Sequence, residues 1–242
     1  MEKNIISKIK NQHLLIISIL MIITNTIVIF FFWFSNPTEI IQYGDGVFPW
    51  RPKSFLASKP FVWNTVNGGL YSIRNFGWFF TSLLYYILYK ISNSLVLMQK
   101  LMFLALFTSS GISMYFCLTQ INRGKIIPNI IASIFYMYSL YQAVIWSGIH
   151  MTSIYVYSFF PLIFSLYRSL LRDANKKVKY VLPCLSILLV PSFSNIPLLF
   201  VVAFVFLLYN LFHIEDLRKK SKLIFTASVS YTHLTLPTTE RV

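Results

Sequence analysis

Residues 14–34 read LLIISILMIITNTIVIFFFWF, and this stretch decides the fold class because it contains no charged side chain. An α-helix rises 1.5 Å per residue, so about 20 apolar residues cross the roughly 30 Å of a membrane interior. A cleaved signal peptide is the alternative interpretation. Its apolar region is normally about 7–15 residues long and ends in small residues, whereas residues 30–34 are all bulky aromatics. The stretch therefore predicts an uncleaved first membrane helix.

The composition of the whole chain agrees with a membrane protein. The 242 residues are 56% hydrophobic and only 12% charged, and the mean hydropathy is +0.65. Soluble domains carry about 25% charged residues. The net charge of +14 arises from short basic runs between apolar segments, which favours membrane orientation over a nucleic-acid partner. Cys117 and Cys184 lie inside apolar stretches without metal-ligand spacing.

Charge-free runs predict an all-α, polytopic helical bundle in the bilayer. The segment 180–213 contains the turn-forming stretch PSFSNIP at 191–197, so we expect two short helices there; one long kinked helix is the alternative. Residues 35–95 form a large external first loop, and the aromatic segment 70–91 has the pattern of a helix that lies in the membrane interface. The expected spans are about 14–34, 96–119, 127–146, 152–171, 180–191 and 197–213.

The distribution of basic residues predicts the orientation. Residues 229–242 apart, the chain has 20 Lys and Arg residues. If 70–91 lies flat outside, 14 of these 20 fall on the inner side; if 70–91 spans and 180–213 crosses once, only 9 do. Cytoplasmic loops are enriched in Lys and Arg. We therefore expect a cytoplasmic amino terminus and a multi-pass protein of a prokaryotic plasma membrane.

The last residues differ from the rest of the chain. Residues 229–242 read VSYTHLTLPTTERV, which is rich in threonine and lacks helical periodicity. This tail resembles the peptide encoded by translated sequencing-adapter DNA. We expect it to be an artefact and the natural protein to continue beyond it; a genuine disordered tail is the alternative.

The external loop carries the candidate chemistry. Asp45 lies in YGDGVFPW at 43–50, where the flanking glycines permit a sharp turn and close approach of a ligand. A plain surface turn is the competing interpretation. The basic residues of the loop can bind phosphate oxygens or simply face lipid headgroups, and Trp63 can stack on a sugar or anchor the loop in the interface. The candidate phosphate-binding cations are Arg51, Lys53, Lys59 and Arg74.

The arrangement resembles the amino-terminal part of the GT-C superfamily of membrane glycosyltransferases, in particular the arabinofuranosyltransferase-like and YfhO-like branches. The matching features are one leading span, a long external loop with an acidic residue soon after the membrane, and the aromatic segment TSLLYYILYKIS at 81–92. The string GDGVFP at 44–49, Tyr115 and Pro161 also match. The resemblance covers roughly residues 10–215.

The resemblance implies an outer-face enzyme that transfers a sugar from a polyprenyl-phosphate carrier to an extracytoplasmic acceptor, with inversion at the anomeric carbon. It implies that Asp45 is the general base for the acceptor hydroxyl, or helps to hold a divalent metal, as in some branches. The next external loop, WSGIHMT at 146–152, lacks a second carboxylate, which disfavours a two-carboxylate metal site. His150 and Asn195 are further candidates, as a base or ligand and as a sugar contact. Capping roles are their alternatives.

Two other functions remain open. A transporter or flippase of a lipid-linked glycan needs polar side chains within its spans, and the predicted spans offer only mild ones such as Asn25 and Asn129. A noncatalytic scaffold subunit would use the aromatic loop to bind a partner. No P-loop, dinucleotide fingerprint or zinc motif competes with these three hypotheses.

Overall fold

The computed structural model describes the chain in segments. They are residues 2–33, 40–41, 49, 51–57, 63–64, 70–71, 73–122, 125–148, 150–173, 181–182 and 184–212. The described elements are helices, apart from one antiparallel pair of two-residue strands, so the predicted all-α class is confirmed. The predicted tail at 229–242 lies outside the described residues.

The helices follow one another with short connections. We number them in chain order: α1 Glu2–Ile27, which continues as a π-helical segment Val28–Trp33, α2 Pro52–Ala57, α3 Ile73–Ser92, α4 Leu95–Ile121, α5 Ile126–Met137, α6 Leu140–Ser147, α7 Met151–Asp173, a 3₁₀ helix Ile187–Ser194 and α8 Ile196–Phe212. The strands β1 Trp63–Asn64 and β2 Leu70–Tyr71 pair between α2 and α3, with Trp63 opposite Tyr71.

The connection between α3 and α4 is fixed by local hydrogen bonds. Asn93 adopts a left-handed conformation with φ of 49°, which Asn tolerates better than most residues. Its backbone N–H donates to the Tyr89 carbonyl at 2.8 Å and closes the end of α3. The hydroxyl of Ser94 then accepts from the Leu97 N–H at 3.3 Å and caps the start of α4. The sequence therefore turns sharply from one helix into the next.

Within the described segments, two helices are long and apolar enough to cross a membrane. They are Leu95–Ile121 and Met151–Leu171, at the positions of the predicted spans 96–119 and 152–171. Two shorter apolar helical segments cover Leu15–Phe31 and Pro197–Phe212. Length and composition thus give weak support to membrane association.

The structure differs from the sequence prediction at 127–146, which was expected as one continuous span. The helix ends at Met137 and a new helix begins at Leu140. The reason is local, because the Ser139 hydroxyl accepts from the Gln142 N–H at 3.2 Å and caps α6. Charged residues alone delimited the predicted spans. An uncharged polar cap inside an apolar run was therefore missed.

α4 is the central helix, and its partners run in defined directions. α1 is antiparallel to it, since Asn25 contacts Thr108 while Phe30 contacts Lys100. α7 is parallel to α4: the Ser158 hydroxyl donates to the Leu106 carbonyl, and further along Arg168 donates to the Gln120 carbonyl. α8 packs on α7 through aromatic contacts of Phe160, Phe164 and Tyr167 with Phe206 and Tyr209.

These directions define two ends of the bundle. The Lys100 end contains Phe30, Ile41 and Lys100, and the Arg168 end contains Gln120, Asn122 and Arg168.

Polar side chains are inside the bundle and large apolar ones are outside. The outward faces of α1, α5, α6 and α8 carry Leu20, Phe135, Leu140 and Phe212, which are 58% to 82% exposed. The buried polar side chains are Asn25, Thr81, Ser82, Gln99, Lys100, Thr108, Ser110, Ser113, Asn129, Ser133, Gln142, Ser158 and Ser165. Many of their hydroxyls donate to helix carbonyls, as Ser113 does to the Ser158 carbonyl at 2.6 Å.

Candidate functional site at the Lys100 end

A fully buried glutamine attaches the first loop to α4. The Ile41 N–H donates to Gln99 Oε1 at 2.8 Å, and Gln99 Nε2 donates to the Ile41 carbonyl at 2.6 Å. One side chain thereby satisfies both backbone groups of a loop residue, much as a neighbouring strand would. This Gln99–Ile41 clamp fixes the chain four residues before Asp45.

Lys100, beside the clamp residue, is 7% exposed. Lysine is almost never this deeply buried unless it has a partner. Its Nζ lies 5.2 Å from the centroid of the Phe30 ring in the π-helical segment, a distance suited to a cation–π contact. The stem of Lys100 thus carries a positive charge into a cluster of apolar side chains.

The short helix α2 belongs to the same end of the bundle. Its Phe55 ring meets Trp78 of α3 edge-on, with ring centroids 6.5 Å apart. Phe55, Phe30 and Ile41 all pack on one apolar cluster, which is built around residues such as Tyr85 and Met98. α2 and the clamp are therefore held on a common base.

The predicted site residues divide into described and undescribed ones. Arg51 and Lys53 are exposed, just before and at the start of α2. Pro49, four residues after Asp45, is buried, and Ile41 precedes Asp45 by four residues. Asp45 and Lys59 lie outside the described residues, and so do the side chains of Trp63 and Arg74.

The two outlying candidates do not join this group in any described contact. His150 is exposed, and its backbone links the end of α6 to α7 by donating to the Ile145 carbonyl and accepting from the Ile154 N–H. Asn195 Oδ1 accepts from the Leu198 N–H at 3.4 Å and caps α8. The described contacts of both residues are those of helix ends.

Tyr85 is a member of the apolar cluster on which the Lys100 end packs. It is fully buried on α3. Burial, and to a smaller extent the nearby Tyr155 phenol, raises the pKa of Tyr85 well above its ordinary value. The phenol therefore stays neutral and contributes no negative charge to the cluster around Lys100.

A second polar cluster lies at the break between α5 and α6. Asn25 Nδ2 donates to Thr108 Oγ1 at 3.0 Å, and the Tyr138 hydroxyl donates to Asn25 Oδ1 at 2.8 Å. The rings of Tyr136 and Tyr157 stack with centroids 4.1 Å apart, and each hydroxyl donates to the backbone carbonyl of the other residue.

Gln142 on α6 differs from these satisfied groups. It is 1% exposed, and neither its Nε2 nor its Oε1 has a hydrogen-bond partner in the described part of the chain. We expected only mildly polar residues in the predicted spans, but the described helices also bury the side-chain amide of Gln142.

Metal ligands do not gather in the described segments. No three His, Cys, Asp or Glu residues among them lie close enough together to hold a metal ion. The carboxylate proposed for such a role, Asp45, is not among the described residues.

Sequence reasoning missed Gln99 and Lys100. In the sequence, Lys100 only marked the edge of a charge-free run, because a charged side chain is normally expected to be exposed to solvent. The available signal was the pair QK within the apolar segment LVLMQKLMFLALF at 95–107. Two adjacent polar residues surrounded by apolar ones predict either a helix edge or a buried site.

No known family model matches the chain, and no curated protein or solved structure shows significant similarity to it.

Proposed function

We propose that the chain is a multi-pass membrane glycosyltransferase that works on the outer face. It transfers a sugar from a polyprenyl-phosphate donor to an extracytoplasmic acceptor. The observation that carries the proposal is the convergence at the Lys100 end. The buried cation, the exposed cations Arg51 and Lys53 and the Gln99–Ile41 clamp, four residues before Asp45, belong to one end of the bundle.

The reach of the loop supports a role for Asp45 near Lys100. Four residues extend at most about 14 Å, so Asp45 stays within that distance of Ile41 and of Pro49. Cations at this end attract the phosphate of the donor and stabilise the charge it gains as it leaves. The Asp45 carboxylate takes the proton of the acceptor hydroxyl, whose oxygen bonds to the anomeric carbon while the bond from that carbon to the phosphate oxygen breaks.

The membrane location of this enzyme is supported by the distribution of side chains. Large apolar residues face outward on α1, α5, α6 and α8, while thirteen polar ones are buried among the described residues. Water would penalise this arrangement and lipid favours it, because lipid offers no partner to an exposed polar group. The basic runs set the absolute direction, with the Arg168 end cytoplasmic and the Lys100 end outside.

Labelling from outside intact cells tests this orientation. We expect an impermeant maleimide to label Lys53→Cys and to spare Lys125→Cys until the membrane is opened, in a Cys184→Ser background that removes the exposed native thiol. Lys53 and Lys125 are both exposed, so burial does not explain a difference between them. Equal labelling of both in intact cells would contradict the proposed topology.

Neutralisation of the loop carboxylate tests the activity. In membranes that contain the chain, we expect consumption of a polyprenyl-phosphate sugar to fall by roughly 100-fold or more in Asp45→Asn, because general-base catalysis contributes about that much. Glu39→Gln is the matched control, since it removes the other acidic residue of the loop. Chromatography and mass spectrometry of the released polyprenyl phosphate give the rate. Unchanged turnover in Asp45→Asn would leave the scaffold hypothesis as the better one.

A flippase of a lipid-linked glycan is the second candidate, and the α5–α6 break favours it. Interrupted membrane helices with buried polar side chains line the substrate sites of many transporters. Here the break lies between α5 and α6. Tyr138 lies in the break and bonds to Asn25, and Gln142 follows it in α6. Translocation of a fluorescent lipid-linked glycan in proteoliposomes should then disappear in Gln142→Leu and survive in Asp45→Asn. The opposite pattern, with sugar transfer in place of translocation, supports the enzyme.

A further inference from the structure

The short helix α6 has little of its surface inside the bundle. Among its described side chains the exposed ones are Leu140, Tyr141, Ala143 and Val144, and the buried ones are Gln142 and Ile145. Ile145 belongs to the large apolar cluster that also contains Met137 of α5. Elements that bury few apolar side chains open at a lower free-energy cost than the rest of a fold. The packing of α6 therefore permits local opening.

Gln142 makes this closed position of α6 unfavourable. Its side chain is 1% exposed, and neither Nε2 nor Oε1 has a hydrogen-bond partner in the segments that the structure describes. Its backbone N–H, by contrast, donates to the Ser139 hydroxyl at 3.2 Å. A buried amide without partners carries its full desolvation penalty. A movement that brings this amide to water removes the penalty and so favours an open position of the helix.

The chain just before α6 is attached to α7. Pro161 has no N–H, so the Tyr157 carbonyl, four residues earlier in α7, lacks the usual helical donor. The Tyr136 hydroxyl of α5 donates to this carbonyl at 2.8 Å, and the Tyr157 hydroxyl donates to the Tyr136 carbonyl at 2.7 Å. The Ser139 hydroxyl lies 2.9 Å from the Tyr157 hydroxyl. The end of α5 is thus held on α7, and α6 begins directly after this fixed point.

The other end of α6 has the features of a hinge. Gly148 follows α6 in a turn, where its N–H donates to the Val144 carbonyl at 3.2 Å and the His150 N–H donates to the Ile145 carbonyl at 3.0 Å. A Cβ at Gly148 would lie 2.5 Å from His150 Nε2, so a side chain here would displace the imidazole. Hinges are a few residues at the ends of elements that absorb changes in φ and ψ, and glycine does so with the least steric cost.

We propose that α6 is a hinged lid whose opening brings the Gln142 amide into contact with water. The lid turns about residues 138–139 and about Gly148, while α5 and α7 stay in place. Its buried residue Ile145 belongs to the apolar cluster of the Lys100 end, so water reaches the opened lid from that end. The inference rests on neither candidate function, because it concerns the position of a helix and no substrate.

Thiol labelling of the full chain in lipid nanodiscs tests the lid, in a background without native thiols (Cys117→Ala, Cys184→Ser). Ile145→Cys and Met137→Cys form a matched pair, because both native side chains are buried in the same apolar cluster, on opposite sides of the break. N-ethylmaleimide reacts with the thiolate, whose formation burial in apolar surroundings suppresses.

We expect the reagent to label Ile145→Cys at least about 10-fold faster than Met137→Cys, because the lid opens more readily than the fixed end of α5. Mass spectrometry of the intact protein gives both rates. Equal rates in two proteins that elute as the wild type does would overturn the lid.

Replacement of Gln142 in the Ile145→Cys protein tests the role of the amide. Gln142→Leu, and Gln142→Met with its similar length, should each slow labelling by about 10-fold, because the closed lid no longer buries an unpaired amide. Ala143→Leu is the matched control; it adds a leucine to the exposed face of the same helix and should change the rate by less than about 3-fold. Unchanged or faster labelling in both Gln142 variants would overturn the proposal. Equal slowing by Ala143→Leu would overturn it too, since the effect would then come from added apolar surface.

Discussion

The two ends of α4 treat a positive charge in different ways. At the Arg168 end the guanidinium is held by a carbonyl of α4 itself, so the chain satisfies its own cation. At the Lys100 end the ammonium lies over an aromatic ring, and the nearby amide of Gln99 is occupied by the loop. The difference teaches that one helix can accommodate a cation near each end through different kinds of contact, a backbone carbonyl at one end and an aromatic ring at the other.

The largest effect is expected at Gly111, in the middle of α4 between its two ends. A Cβ at Gly111 would lie 2.8 Å from the Met137 sulfur and 3.1 Å from the Met21 sulfur, where α1 and α5 cross α4. We expect Gly111→Leu to lower the free energy of unfolding by about 2 kcal/mol, because the Met137 and Met21 side chains must leave their packed positions to make room for it. Titration with SDS in mixed micelles measures the change. Ala105→Leu, at an exposed position of α4, is the control; equal stability of the two variants would disprove the close crossing.

The next largest effect is expected at Asn25, between the two ends. Asn25→Ala removes this partner from the buried Thr108 hydroxyl and from the hydroxyl of Tyr138, a residue that is 42% exposed. We expect a loss of about 2 kcal/mol in the same titration. Thr24→Ala is the control, because the exposed Thr24 hydroxyl donates only to the Leu20 carbonyl of its own helix. A neutral Asn25→Ala would show that the cluster at the α5–α6 break does not stabilise the bundle.

Substitution of Arg168 and of Lys100 gives the direct test of the comparison between the two ends of α4. We expect Arg168→Met to lower the free energy of unfolding by roughly 1–2 kcal/mol, since a charge-assisted hydrogen bond to the Gln120 carbonyl is lost. Lys100→Met should change it by less than about 1 kcal/mol, because the penalty of burying the ammonium disappears along with its contacts. A larger loss in Lys100→Met than in Arg168→Met would make Lys100 a structural residue and reverse the comparison.

Two buried glutamines provide a further test, because their replacement should change stability by about 1–2 kcal/mol at most and with opposite signs. Gln142→Leu should raise the free energy of unfolding by about 1 kcal/mol, because its amide has no hydrogen-bond partner in the described part of the chain. Gln99→Leu should lower it by about 1–2 kcal/mol, because the Ile41 backbone loses both of its bonds to the side chain. Thermal unfolding followed by size-exclusion chromatography ranks the two. Destabilisation by Gln142→Leu would point to a partner of its amide beyond the described segments.

Part of the fold was predictable because hydrophobic runs leave a direct record in the sequence. Helices occupy 96–119 and 152–171 as expected, and the all-α class follows from the same runs. The break after Met137 was not predictable from charge, because an uncharged serine cap causes it. The candidate site was anticipated only in part: Arg51 and Lys53 were named in advance, while Gln99 and Lys100 were recognisable only once Ile41 and Phe30 were found beside them.

The sequence by itself determined the helical class, the apolar character of the long segments and the excess of basic residues, because these depend on composition and local periodicity. Only the tertiary structure decided which polar residues are buried and which meet across helices. Burial is a property of packing, and residues 58 positions apart, such as Ile41 and Gln99, share a bond only after the chain has folded. The sequence therefore identifies a helical chain suited to lipid, and the packing around α4 distinguishes its structural end from its candidate binding end.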